Sequence, residues 1–434
     1  MLDGSVPSEV LQGEGWFRTL RRHPAGFWFL FWGELAERCS YYGVRALLVL
    51  YLIEALEFED ARAAQVVFAY KAACHLLPLA GGLLADCLLG KYWAIVGFSF
   101  PYILGHLMLG GQGLPFLYLG LVLLAVGAGF VKPNLSPLMG LTYDQQRPGD
   151  APLRTEAFAL FSFTGYLGLL LSSLALPLVA RHYGYQVAFM VPAALMAVAL
   201  IIFAAGKRYY AVERSSARAA PAASRAQWQG LGPLFGVFAL VSIWWCVGDQ
   251  DDTLWTIFAA RHMDMRIRGG WVVEPNQLVA VKPILCLCFI PAANVLGKRL
   301  ARRGVWMAAA MKLRYGFLLM ALAAGLLAVA GGLASRGDRV SVLWMIAALA
   351  LLTLSEVIVL LTGLELAFAA APANMKSVMT ACWLLTVSVG NALMIPIAPL
   401  YSLLGPGNFF ALMAGLMVAS AAMLPLVVGA TRPA

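Results

Sequence analysis

Charged residues are scarce in this 434-residue chain: Asp, Glu, Lys and Arg make up 12% of it, against 61% hydrophobic residues. Soluble domains carry about 25% charged residues, so the composition excludes an ordinary soluble domain and points to an integral membrane protein. Long external loops are missing as well. The longest loop on the side away from the termini runs from about Ala260 to Gln277, which leaves no room for a folded external domain. No short apolar core with a small-residue cleavage site precedes the first apolar run, so no cleaved signal peptide is expected. Of the seven cysteines, Cys39, Cys74, Cys246, Cys286, Cys288 and Cys382 lie within apolar runs and Cys87 lies at a run's end. No pair sits in facing external loops, so neither a disulfide nor a zinc site is expected and the cysteines read as small packing residues. No Ser-His-Asp arrangement, metal-ligand cluster or nucleotide loop is visible, so the chain is not read as an enzyme and no cofactor is expected.

What the chain has is apolar runs: 27–54, 64–85, 93–110, 114–137, 157–180, 186–206, 233–259, 277–297, 313–332, 341–369, 377–402 and 408–429. At 1.5 Å rise per residue most of them cross roughly 30 Å of hydrocarbon. The expected fold is therefore an all-α, multi-pass membrane protein of twelve transmembrane helices. Segments on the side of the termini carry nineteen Lys and Arg and the opposite loops seven, which places both termini in the cytoplasm. The net charge of +9 is then a topology signal, and no nucleic-acid partner is expected. The stretch 207–230, rich in Ala, Ser and Arg, reads as a cytoplasmic linker. It divides the chain into an N-terminal segment (1–26), a first six-helix bundle (27–206), the linker (207–230) and a second six-helix bundle (231–430). Two such halves, with Asp86, Gly90 and Lys91 after the second run, resemble the major facilitator architecture.

Ten ionisable residues lie inside the runs: Arg38, Arg45, Lys71, Lys132 and Lys282, and Glu34, Glu37, Asp249, Glu356 and Glu365, with Asp251 and Asp252 close by. At about 2.5 kcal/mol each, ten charges in lipid would cost about 25 kcal/mol, more than the ~5–15 kcal/mol by which whole proteins are stable. They are expected to face a bundle interior or a wet cavity. On the first run Glu34, Glu37, Arg38, Tyr41 and Arg45 fall at i, i+3, i+4, i+7 and i+11, one face of a helix. Buried ion pairs that lock helices together would explain a single pair; charges spread over six helices point to a polar pathway.

The pattern Glu34-x-x-Glu37-Arg38-x-x-Tyr41-Tyr42-Gly43 resembles the signature of the proton-dependent oligopeptide transporters, the solute carrier 15-like family. GGLLADCLLGKYWAIV, GAGFVKPNLSPLMG, FALFSFTGYLG, WWCVGDQ and TGLELAFAAAPANMKSVMTACWLLTVSVGN extend the likeness in order along nearly the whole chain. The resemblance implies a symporter importing di- and tripeptides with protons, driven by the proton gradient, as a monomeric functional unit in the cell's inner (plasma) membrane. It assigns proton coupling to Glu34, Glu37, Arg38, Lys132 and Glu356. Lys132 is implied to work across from the first-helix motif, and Arg45 with Asp249 to form an outer gate. Glu356 is implied to take the peptide's amino group while basic residues of the first half face its carboxylate. Tyr42, Trp383 and the Phe-rich fifth helix are candidate walls of side-chain pockets.

The chain departs from the family at several positions. Phe68 stands where the animal members have a histidine, His75 where a substrate-facing tyrosine is usual, and Tyr166 where an asparagine is usual; His75 and Tyr166 are counted as substrate-binding candidates. Lys282-Pro283 replaces the usual Asn-Pro, and Lys71 has no family counterpart. These two lysines are expected to neutralise Asp249, Asp251 or Asp252 as buried pairs, or to favour a more acidic substrate. The same fold transporting another small solute, such as histidine, nitrate or a peptide-like drug, stays open. A membrane substrate sensor or membrane-embedded enzyme is the remote alternative.

Overall fold

A computed structural model describes residues 20–111, 113–213, 231–267, 271–303, 307–337, 339–372 and 375–429. Most of the expected N-terminal segment and linker lies outside these residues, as do Arg18, Arg214, Arg218, Arg225, Arg268 and Arg432 of the topology count. The first half begins with α1 (Ala25–Glu54), α2 (Asp60–Leu84, prolonged by a wide turn over Ala85–Leu89) and α3 (Lys91–Leu109). It continues through α4 (Leu114–Gln146) and α5 (Ala151–Ala205). Gly184, at φ 85°, breaks α5 into two arms, a conformation that a side chain would strain. The second half holds α6 (Gly232–Gly248), α7 (Leu254–His262), α8 (Val281–Arg302), α9 (Ala309–Ala334) and α10 (Leu343–Ala370). It closes with α11 (Lys376–Ile397), the short α12 (Pro399–Leu404) and α13 (Pro406–Gly429).

Among the described residues nine helices are long and apolar enough to cross a membrane. The protein is an integral, multi-pass membrane protein built almost entirely of helices. The expectation of an all-α chain needs one small correction. Four two-residue strands are present: β1 (Met263–Asp264) pairs in parallel with β4 (Val340–Ser341), and β2 (Arg266–Ile267) pairs antiparallel with β3 (Trp271–Val272). They tie loops to one another and leave the helical packing unchanged.

The run 233–259 is not one helix. It stops at Gly248 and resumes at Leu254, and the five residues between are polar and short: Asp249, Gln250, Asp251, Asp252 and Thr253. Such residues compete with helical hydrogen bonding through their own side chains, and a broken backbone at membrane depth needs substitute partners. They are supplied: Lys71 Nζ donates to the Asp249 carbonyl at 2.5 Å and Thr256 Oγ1 to the Asp251 carbonyl at 2.9 Å. The amides of Thr253 and Trp255 donate to Gln250 O at 3.0 and 3.1 Å.

Within the first half α1 packs on α5 and α3 on α4; within the second, α9 packs on α10 and α13. The halves meet through α2 against α11 and through α5 against the turn that leads into α8. At the start of α3 the Glu213 carboxylate accepts from the amides of Lys91 (2.9 Å) and Tyr92 (3.1 Å), which anchors the chain entering the linker to a helix N-terminus.

Candidate functional site between the two halves

A cavity of about 750 Å³ lies between the halves, walled by α1, α2, α4 and α5 on one side and by α6, the 249–253 break, α8, α10 and α11 on the other. A neighbouring recess of about 600 Å³ shares Pro137 and Phe158 with it and reaches Lys91, Asp144 and Arg154. The cavity therefore extends toward the end of the molecule where α2 meets α3.

The first half contributes a carboxylate–guanidinium–carboxylate cluster. Arg38 Nε and Nη2 each lie 2.6 Å from Glu34 Oε1, and Nε lies 3.5 Å from Glu37 Oε2. Glu34 is 2% exposed and Glu37 is fully buried, with Tyr102 OH donating to it at 3.5 Å. Two acids thus share one cation, an arrangement in which a proton on either acid releases the cation from that acid. Lys132 stands close by without pairing directly to them. Its ammonium lies over the Tyr41 ring, 4.3 Å from the centroid, and is beyond 4 Å of both glutamates. Lys132 thus stands across from the first-helix motif in a cation–π contact, while Arg38 occupies the acids.

At the broken helix a second cluster joins the halves. Arg45 Nη2 donates to Asp249 Oδ1 at 2.8 Å and Nε donates to Asp252 Oδ2. Lys71, fully buried, places Nζ 2.8 Å from Asp252 Oδ1 and 3.1 Å from Asp249 Oδ2. Asn391 Nδ2 donates to Asp249 Oδ2 at 2.9 Å. Two cations of the first half face two acids of the second.

The third cluster lies within the second half, where Lys282 Nζ is 2.8 Å from Glu356 Oε2 and 3.3 Å from Asp251 Oδ2. Both added lysines therefore sit in ion pairs, Lys71 with Asp249 and Asp252 and Lys282 with Asp251 and Glu356. Tyr42, His75 and Tyr166 line the cavity. His75 Nδ1 lies 2.8 Å from the Lys71 carbonyl; a carbonyl only accepts, so Nδ1 is the donor of this contact.

Two expectations need correcting. Trp383 is no cavity wall: it is 3% exposed, its ring packs against Phe238 with centroids 5.9 Å apart, and it abuts Gly363, where an added Cβ would be 1.9 Å from the indole. Its bulk fills the interior of the second half. Glu365, expected inside, is exposed; nine residues past Glu356, it lies about 13 Å further along α10 at 1.5 Å per residue. Asn391 is a functional candidate to which sequence alone gave no role, and Asp251 and Asp252, expected only as partners of the added lysines, line the cavity as well. Their signal is the acidic triplet in GDQDDT, which looks like a loop until the break is seen to lie beside the cavity.

The profile of the POT family matches residues 92–229 and 222–405. The chain belongs to the POT family. Solute carrier family 15 member 2 from Homo sapiens is 27% identical over 354 residues, covering 69% of this chain and 48% of the relative. Peptide transporter family 1 from Drosophila melanogaster is 30% identical over 350 residues, covering 69% of this chain and 46% of the relative. The chain spans about half the length of the curated relatives it matches. A crystal structure of a peptide transporter POT in complex with sulfate superposes with a TM-score of 0.87 at 20% identity, covering 96% of both chains, which establishes the shared fold. The seven cysteines of this POT chain are free, and among the described residues no cluster of three His, Cys, Asp or Glu is fit to hold a metal.

Proposed function

We propose that this protein is a proton-coupled symporter that imports di- and tripeptides by alternating access, with the peptide held in the cavity between the halves. The observation that carries the reading is the cavity's charge layout. Cationic Arg38 and Lys132 line the first half and the Lys282–Glu356–Asp251 group lines the second, which matches a zwitterion with charges at its two ends. Peptide backbone is common to all such substrates, so Tyr42, Tyr166 and Phe158 can form loose side-chain pockets.

In this reading α1 to α4, the two arms of α5, α6 with α7, and α8, α9, α10, α11 and α13 make twelve spans, with both termini in the cytoplasm. The Arg45–Asp249 contact, reinforced by Lys71 and Asp252, is the outer gate, and the cavity faces the cytoplasm. A proton reaching the Glu34/Glu37 pair frees Arg38 and shifts the balance of the gate. Since the cavity is completed within one chain, the monomer is the transport unit, and no cofactor takes part beyond the proton gradient.

The test is counterflow of labelled dialanine into liposomes under an imposed pH gradient, competed by a panel of dipeptides. Competition by several dipeptides is the expected result; none by any peptide would exclude the reading. A second reading keeps the fold and changes the solute to an amino acid, nitrate or a peptide-like drug. The resident ammonium of Lys282 beside Glu356 favours it, because the acid is already partnered.

A further inference from the structure

We propose that Asp251 is a second carboxylate of the subsite that takes the substrate's amino group, sharing the resident cation Lys282 with Glu356. The ligand's primary ammonium is then the second cation of a two-acid, two-cation cluster. The proposal rests on the peptide reading and adds to it a residue that no family motif in this sequence contains.

Charge counting around the cavity carries it. At the gate, Arg45 and Lys71 face Asp249 and Asp252, two against two. At the first-half cluster Arg38 faces Glu34 and Glu37, with Lys132 beside them on the Tyr41 ring. At the third cluster Lys282 pairs with both Asp251 and Glu356, one against two, and among the described residues no second cation pairs with either acid. Asp251 is 5% exposed, lines the cavity, and its Oδ1 is buried without a hydrogen-bond donor. A buried carboxylate oxygen without a donor is costly, and a ligand ammonium supplies both the missing donor and the missing charge. An N-acylated peptide supplies neither.

Lys282 and Asp251 contribute equal and opposite charges, so their removal has opposite effects. In Asp251→Asn, Lys282 and Glu356 balance each other and the subsite has no charge left for a ligand ammonium. In Lys282→Gln, two acids face the ligand alone. The double variant returns to one uncompensated acid.

The experiment uses the full chain in liposomes, with counterflow of labelled dialanine competed by dialanine or by N-acetyl-dialanine. The wild type is expected to prefer the free amine by roughly tenfold or more, the worth of one charge-assisted hydrogen bond. D251N is expected to lose most of that preference, K282Q to increase it, and D251N/K282Q to restore it. Size-exclusion profiles establish that each variant folds; if D251N does not, the rise in K282Q decides. Unchanged preference in D251N, unchanged or lower preference in K282Q, or a double variant no more selective than D251N each overturn the proposal. Absence of dialanine competition in the wild type overturns the peptide reading itself and the proposal with it.

Discussion

Arg45 holds two acids with different nitrogens, Asp249 through Nη2 at 2.8 Å and Asp252 through Nε. A guanidinium can do this because its donors form a rigid planar fork; an ammonium is a single point. Arg45→Ala would leave Lys71 alone against two buried acids. Removing one partner of a buried pair costs about 3–5 kcal/mol, so the variant is expected to melt well below the wild type in detergent. Arg45→Lys should fall between the two, and a melting curve identical to wild type in Arg45→Ala would show the pair to be slack. At the Glu37 carboxylate, fully buried and 3.5 Å from Arg38, Glu37→Gln mimics a permanently protonated acid. Exchange of labelled peptide across liposomes at equal pH is expected to persist, while accumulation driven by a pH gradient is lost. Retained gradient-driven accumulation in that variant would remove Glu37 from the coupling step. Both residues were legible in the sequence, because charges at i, i+3, i+4 and i+11 in an apolar run identify one wet face. Their partners were legible only in part. Which cation meets which acid depends on helix rotation and on the break at Asp249–Thr253, and spacing along the chain carries neither; hence Lys132 settles on Tyr41 while Lys71 takes Asp252.

Helix packing here depends on which small residues turn inward. Gly81 on α2 meets the α4 backbone so closely that a Cβ would lie 2.2 Å from Gly129 O and 2.8 Å from Phe130 Cα. Close backbone approach through small residues is how membrane helices gain packing energy when lipid is as apolar as leucine. At its neighbour Gly82 a Cβ would meet nothing within 4 Å. Gly81→Val is therefore expected to lower the melting temperature sharply, by the ~1–3 kcal/mol or more that overpacking costs, whereas Gly82→Ala should leave it nearly unchanged. Equal melting of the two variants would mean that the α2–α4 contact does not hold the first half together. Hydropathy showed the extent of most helices, since about twenty apolar residues have few other stable forms in a bilayer. It did not show the interruption between α6 and α7, because aromatic and aliphatic residues on both sides carry the average across five polar ones.

At the scale of the whole molecule, the hydrogen bonds and ion pairs that join the two halves among the described residues gather toward the end where α1 meets α2. Arg261 Nη2 lies 2.9 Å from Asp60 Oδ1, Arg181 pairs with Glu274, and Gln65 Nε2 donates to Ile395 O at 3.0 Å. Deeper in, Ser388 Oγ donates to the Ala72 carbonyl at 2.7 Å, next to the Arg45–Lys71–Asp249–Asp252 cluster. The exposed pairs contribute little each, about 0–1 kcal/mol, so this end can part without a large barrier once the buried cluster lets go. The proposed alternating access requires that parting. A covalent tie placed there should stop turnover without touching the cavity. In a background freed of the exposed Cys87 and Cys288, Asp60→Cys with Arg261→Cys, joined by a short reducible crosslinker, is expected to abolish dialanine counterflow, and reductant should bring it back. The single-cysteine variants treated alike should keep transporting, because neither can tie α2 to α7. Transport that continues through a quantitatively crosslinked pair would mean that the halves do not separate at this end, and the assignment of Arg45 and Asp249 as the outer gate would fall with it.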